Sequence, residues 1–123
     1  MKKLFLTVCL TAILSTPSIA ACEGGTLSDD GQFCLSNIDL NWWSAANWCK
    51  ANGMHLPTMY EVCPDWNGNT GEGLCSPIAG FRSGLYGWTA TVRESGVVFG
   101  VNLASGRVTS NYLNNTYRAL CTN

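Results

Sequence analysis

Six of the seven cysteines of this 123-residue chain follow its first twenty residues, and this even number constrains the fold more than any other feature. They are Cys22, Cys34, Cys49, Cys63, Cys75 and Cys121. Six cysteines left after removal of an export signal can pair completely in an oxidising compartment. Each native disulfide typically stabilises a small domain by about 2 to 5 kcal/mol. The sequence therefore predicts one small, oxidised domain held by three bridges.

The N-terminus has the pattern of a bacterial export signal. Lys2 and Lys3 are basic, residues 4–14 are apolar, and small residues end this segment at Ala20. The apolar run is about half of the ~20 residues needed to span a bilayer, so we do not expect a membrane anchor. We predict a signal peptide over residues 1–20, a single domain over residues 21–123, and a periplasmic, secreted or cell-surface location.

An alternative reading of the same region is a lipoprotein. Residues 19–22 have the form of a lipobox, in which Cys22 would be acylated. Acylation would leave an odd number of thiols in an oxidising compartment, which argues for a disulfide at Cys22 instead.

Charge excludes two classes of partner. Removing Lys2 and Lys3 from the seven basic residues leaves five, against eight acidic residues, so the exported domain has a net charge of about −3. Nucleic acids and anionic membranes bind clustered Lys and Arg, and the chain has no basic run. We therefore expect neither as a partner.

Local signals predict the first half of the fold. Residues 26–36 form a hairpin around a turn at Gly31, which a Cys22–Cys34 bridge would clamp. Asn41 caps a helix that ends near Gly53, with one apolar stripe and Trp43 at its rim. The apolar stripe consists of Trp42, Ala45, Ala46 and Cys49.

A second, short helix is predicted over residues 59–63. Thr58 and Glu61 have the spacing of a capping box, and Pro64 stops the helix. A polar, glycine-rich loop follows over residues 65–74. A local bridge between Cys63 and Cys75 would fix this loop.

The second half has the period-two pattern of strands. Four runs, separated by turn residues, predict an antiparallel meander over residues 88–92, 97–103, 107–111 and 117–121. Helices followed by strands indicate an α+β domain.

The order of these elements resembles the C-type lectin-like fold, most closely the bacterial family of the C-terminal domain of the Legionella collagen-like adhesin. The segments that carry the resemblance are residues 43–49, 53–61, 87–91, 99–108 and 117–121. The resemblance implies bridges Cys49–Cys121 and Cys22–Cys34, which leaves Cys63–Cys75 as the third. It also implies a scaffold for binding a ligand.

The sequence departs from the calcium-dependent members of this family. Residues 75–78 and 101–103 replace the two triplets that supply calcium and sugar ligands. Asp65, Asn67 and Asn69 alternate like the first ligands of an EF-hand, but the bidentate acid is missing and Glu72 is misplaced. We predict no metal and no cofactor. A weak calcium loop built from these four residues is the alternative.

Catalysis has little support in the sequence. His55 is the single histidine, and no motif surrounds a serine that could act with it. Asp65 and Glu72 are a conceivable carboxylate pair, but a glycine-rich loop would hold them loosely. We therefore do not expect an enzyme.

A binding surface is predicted around the long loop and residues 81–86. Its residues are Trp66, Asn67, Asn69, Arg82 and Tyr86. Trp66 is expected to be exposed as an aromatic anchor, whereas Trp88 is expected in the core. The predicted function is an exported, calcium-independent module for a glycan or protein ligand. The alternative is a small periplasmic inhibitor or a structural accessory subunit of a surface assembly.

Overall fold

A computed structural model describes residues 22–123, and the predicted signal peptide lies outside these residues. The domain is α+β, as predicted. Its elements are β1 (Gly25–Leu27), β2 (Cys34–Leu40), α1 (Trp42–Ala51), α2 (Met59–Val62), β3 (Tyr86–Glu94), β4 (Val97–Asn102), β5 (Arg107–Tyr112) and β6 (Tyr117–Cys121). Within the described range, no helix is long and apolar enough to cross a membrane.

Both helices begin where the sequence predicts, and α2 ends at Val62, one residue before its predicted end. The side chain of Asn41 accepts a hydrogen bond from the Ser44 N–H (2.9 Å), and α1 stops at Asn52 before Gly53, whose φ is +73°. Such a left-handed residue favours glycine because it has no Cβ. At α2, Thr58 and Glu61 form the predicted capping box.

The sheet is mixed rather than a simple meander. Its strand order is β1-β2-β6-β3-β4-β5, so only β3, β4 and β5 form the expected antiparallel meander. The fourth predicted strand, β6, instead runs between β2 and β3, antiparallel to the first and parallel to the second. Ala119, Leu120 and Cys121 are all buried, because a central strand with both faces covered buries consecutive residues.

The sheet separates two hydrophobic cores. Side chains alternate across a strand, so neighbours such as Ala119 and Leu120 enter different cores. Helix α1 covers one face, where Ala45 and Cys49 pack near Trp88. Residues 59–75 cover the other face. The core on that side consists of Leu35, Met59, Val62, Cys63, Trp66, Cys75, Phe99, Val101, Leu103, Val108 and Leu120.

All three predicted disulfides are present. Cys22–Cys34 and Cys63–Cys75 each join cysteines 12 positions apart in the sequence. Cys49–Cys121 joins cysteines 72 positions apart and links α1 to β6. The thiol of Cys22 is thus engaged in the predicted bridge, not in the acylation that the lipobox reading requires.

Cys49–Cys121 should contribute most to stability. The chain-entropy model gives about 4 kcal/mol for a 72-residue loop and about 3 for a 12-residue loop. Replacing Cys49 and Cys121 with Ala should therefore lower the melting temperature more than replacing Cys63 and Cys75. Calorimetry without reductant measures this order, and the reverse order would contradict it.

Glu61 links the start of α2 to His55. Its Oε1 accepts the Thr58 N–H (2.8 Å), and its Oε2 lies 3.2 Å from Nε2 of exposed His55. Partial burial raises the pKa of Glu61, but the Thr58 N–H and the neighbouring His55 together outweigh this effect. The pKa of Glu61 is therefore below its ordinary value of 4.5.

This lowered pKa predicts a loss of stability in acid. The Glu61 carboxylate contributes fully above its ordinary pKa, 4.5, and the contribution disappears as pH falls through the lower folded value. Its side chain is 41% exposed, so solvent screening limits the contribution to under about 1 kcal/mol. Glu61→Gln should therefore be less stable than the parent protein at neutral pH, with a gap that closes in acid.

Urea unfolding across this pH range measures that gap. Glu94→Gln, at the exposed end of β3, is the matched control and should show no comparable gap. A Glu61→Gln gap that stays constant on acidification would contradict the assignment.

Candidate functional site

Trp66 belongs to the core, so the expectation of an exposed anchor is wrong. The residue is 8% exposed, and its ring centroid lies 4.7 Å from that of Phe99 and 5.3 Å from that of Tyr60. Its indole N–H donates to the Asn69 carbonyl (2.8 Å). The indole thus stabilises the long loop from inside, with its polar edge satisfied.

Asn67 and Asn69 shape the turn that follows Trp66. Both are exposed, and the Asn67 side chain accepts a hydrogen bond from the Asn69 N–H (3.0 Å). Glu72 forms an ion pair with Arg107 (3.1 Å) instead of joining them. Within residues 22–123 there is no group of three or more His, Cys, Asp or Glu side chains placed to hold a metal.

The long loop docks against the outer edge of the sheet. Gly71 and Val108 exchange two backbone hydrogen bonds of 2.9 Å, and Val108 lies in the edge strand β5. Asn67 and Asn69 therefore lie toward the β5 edge.

Tyr86 lies on the sheet face that carries α1. Its ring stacks on Tyr117, with centroids 5.4 Å apart and planes at 24°. Tyr117 fits over Gly100, where any Cβ would collide with the tyrosine ring. Burial raises the pKa of Tyr117 despite an opposing hydrogen bond from the Thr109 side chain. Tyr86 is partly buried against this ring.

Arg82 lies in a different place, at a cleft of about 230 Å³ between the β1–β2 hairpin and residues 80–85. Leu35, Phe81 and Leu85 form its apolar floor. Its polar groups come from Thr26, Ser36, Asn37, Arg82 and Arg118, and Gly80 completes the lining. The structure does not bring Arg82 together with Trp66, Asn67, Asn69 or Tyr86 in one site.

A tight backbone contact holds the two sides of the cleft together. The Asp29 N–H donates to the Ala79 carbonyl (2.9 Å). Next to this contact, a Cβ at Gly80 would come within 2.8 Å of the Asp29 nitrogen, and Gly80 has φ +111°. Position 80 therefore requires glycine for both space and conformation.

Arg118 is held in place at the cleft. Its Nε donates to Asp39 (2.9 Å) and its Nη1 donates to the Ser36 carbonyl (3.1 Å). Its side chain is only 18% exposed. These bonds use two of the five guanidinium N–H groups, so three remain to donate elsewhere.

Arg82 contrasts with Arg118. It is exposed, and no ion pair or side-chain hydrogen bond ties it to another described residue. On the opposite wall, the Thr26 hydroxyl donates to Oδ1 of Asn37 (3.0 Å), which leaves the Asn37 NH₂ group as a donor. The cleft thus combines a free cation, a positioned cation and an amide donor over an apolar floor.

Sequence reasoning missed Thr26, Asn37 and Arg118 as site residues. The sequence pattern around Arg118 predicts strand β6 but does not show which strand lies beside it. Only the pairing of β6 with β2 brings Arg118 next to Ser36 and Asn37. The signal that was available is the arginine itself, a charged residue inside an otherwise apolar strand.

Two larger depressions have less suitable chemistry. One, of about 350 Å³, follows the Cys63–Cys75 bridge and the start of the long loop. The other, of about 420 Å³, is a shallow and mainly apolar groove beside α1, near Trp42, Met54 and Leu56. Neither combines positioned charged donors with an apolar floor. The cleft lined by Arg82 and Arg118, called the arginine cleft below, is therefore the better candidate site.

Comparisons of the chain with protein-family models, curated proteins and solved structures found no match. Function therefore has to be inferred from the geometry and chemistry of the cleft.

The burial of Trp66 predicts a large loss of stability on truncation. Trp66→Ala removes contacts with Phe99 and Tyr60, and buried Trp-to-Ala changes typically cost about 3 to 5 kcal/mol. Trp43→Ala is the matched control, because Trp43 is 52% exposed and should cost under about 1 kcal/mol. Denaturant unfolding of both variants gives these values, and similar losses would contradict the core position of Trp66.

Proposed function

We propose that this protein is an exported, non-enzymatic binding module on a C-type lectin-like scaffold, and that it holds a glycan or protein ligand without calcium. The ligand surface proposed here contains the arginine cleft, which includes Arg82 from the predicted site. The long loop, which was expected to contribute Trp66, has a structural role instead.

The disulfide pattern supports the choice of scaffold. Cys22–Cys34 clamps the N-terminal hairpin, and Cys49–Cys121 joins the first helix to the last strand. Both agree with the pairing that the resemblance to C-type lectin-like domains implies. The three bridges also fit an oxidising compartment, as expected for an exported protein.

The observation that carries the proposal is the unpaired Arg82 at the mouth of a preformed cleft. An exposed arginine on a flexible surface is ordinary, but this one stands beside a second, positioned guanidinium and over apolar side chains. Concave sites with an apolar base and a few converging polar groups are typical of ligand binding.

The groups in the cleft favour binding over turnover. Its described lining offers guanidinium, hydroxyl and amide groups, which recognise a ligand through hydrogen bonds. General acid–base catalysis depends on a side chain that gains or loses a proton near the working pH, such as His, Asp or Glu. The lining consists of residues of other types.

A screen against glycan and protein arrays tests the proposal. The oxidised, exported protein should bind a ligand equally well with calcium and with EDTA. Thr26→Trp places a bulky ring at the exposed rim of the cleft and obstructs it. This should weaken that binding by about 5- to 150-fold, which is the loss of about 1 to 3 kcal/mol that follows when a central contact can no longer form.

Thr116→Trp is the matched control. Thr116 is also exposed but lies in the turn between β5 and β6, so its replacement should leave the affinity unchanged. Equal binding by Thr26→Trp and the parent protein would reject the cleft as the site. Binding that EDTA abolishes and calcium restores would instead support a calcium loop of Asp65, Asn67, Asn69 and Glu72.

A further inference from the structure

We infer that the arginine cleft recognises a singly charged carboxylate attached to a small apolar group. This inference rests on the proposed function, because it specifies the chemistry of a ligand for the same cleft. Three properties of the lining lead to it: the free donors of two guanidinium groups, the local balance of charge, and the size and polarity of the floor.

The donors match a planar anion. A guanidinium group presents parallel N–H bonds that fit the two oxygens of a carboxylate, and such charge-assisted pairs are stronger than neutral hydrogen bonds. No described residue bonds to the Arg82 side chain, so all its guanidinium N–H groups are available to a ligand. Arg118 offers its remaining three from a fixed position, because Asp39 and Ser36 hold the rest of its guanidinium group.

The local charges favour one negative charge over two. Arg82 and Arg118 carry two positive charges, and Asp39 offsets one of them at 2.9 Å from Arg118. Asp29 adds a second carboxylate near the rim, since its Oδ1 would lie 2.9 Å from a Cβ at Gly80. Because the two acids offset both arginines, the local charge is close to zero. A dianion such as phosphate would lose much more hydration free energy on entering the cleft than a monoanion, with no excess positive charge to compensate it.

The floor limits the rest of the ligand to a small apolar body. Phe81 and Leu85 are only partly buried, so an apolar group that covers them would remove more of their hydrocarbon from water, whereas Leu35 is already buried beneath them. A volume of about 230 Å³ is smaller than the ~300 to 1,000 Å³ of cavities that enclose drug-sized ligands. The cleft therefore has room for a small acid or for one terminal residue of a longer molecule.

Two sources can supply this chemistry: a free aliphatic acid and the C-terminal residue of a peptide. The amide N–H and carbonyl of a peptide would reach the rim, where Thr26 and Asn37 hold polar groups. A free acid would leave these two groups to water. Probes with the same branched hydrocarbon body, with and without a peptide amide, distinguish the two sources.

The test is a titration of the oxidised, exported protein, followed by NMR, with 4-methylpentanoate and with N-acetyl-leucine. N-Acetyl-leucinamide is the matched neutral probe, because it has the same side chain without the charge. We expect the N-acetyl-leucine acid to bind at least tenfold more tightly than its amide, with shift changes at residues 80–85. Tighter binding of N-acetyl-leucine than of 4-methylpentanoate assigns a peptide terminus, and the reverse order assigns a free acid.

Arginine variants test the recognition directly. Arg82→Ala should weaken binding of the acid about tenfold, the low end of what a hydrogen bond to a charged group provides. Arg82→Lys keeps the charge but loses the parallel donors, so it should also weaken binding. Arg93→Ala is the control: Arg93 is exposed, donates to Ser110 at the other end of the sheet, and should leave the affinity unchanged.

Equal affinity for the acid and the amide overturns the inference, as does tighter binding of inorganic phosphate or of glucuronate than of N-acetyl-leucine. Binding of the variants to the ligand found in the array screen distinguishes this failure from a failure of the proposed function. If Thr26→Trp loses that partner and Arg82→Ala keeps it fully, the cleft is the binding site but carboxylate recognition is wrong. If Thr26→Trp keeps the partner, the proposed function itself fails.

Discussion

One cross-strand pair, Cys34 opposite Cys121, joins most of the fold. The two residues face each other in β2 and β6, yet each bonds to a different partner. Cys34 holds the N-terminal hairpin through Cys22, and Cys121 holds α1 through Cys49. Hairpin, first helix and last strand therefore meet at one fully buried point of the sheet. The arginine cleft depends on the same junction, because β2 and β6 supply Leu35, Asn37 and Arg118 to its walls.

Local chemistry explains why much of the fold could be predicted. The cap at Asn41 and the capping box at Thr58 depend on residues three positions away, so the sequence alone displays them. The hairpin and the closure of the long loop by Cys63 and Cys75 are equally local. The position of β6 depends instead on which distant strands it pairs with, and the sequence pattern does not identify those strands. An antiparallel meander was the simplest connection and was wrong for this last strand.

The candidate site was harder to predict than the fold, because it depends even more on contacts between distant parts of the chain. Trp66 lies among polar and glycine residues, which made a surface position the natural expectation. Backbone pairing of Gly71 with Val108 and of Cys75 with Gly106 instead draws the loop onto the sheet, and the indole fills the space beneath. Arg82 was predicted as a site residue, but its neighbours come from β1, β2 and β6. Long-range strand pairing, not composition, decides which side chains share the cleft.

The pairing of Gly71 with Val108 also covers part of an outer strand of the sheet. β5 is an outer strand of the sheet, and an uncovered outer strand is a template on which another chain can add. Here the long loop occupies the backbone groups of Val108, and Asn111 and Asn115 bond to the N–H and the carbonyl of Tyr112. A second strand would have to displace these partners before it could align. The glycine-rich loop thus blocks strand addition at this part of the edge, a structural role that requires no bound ligand.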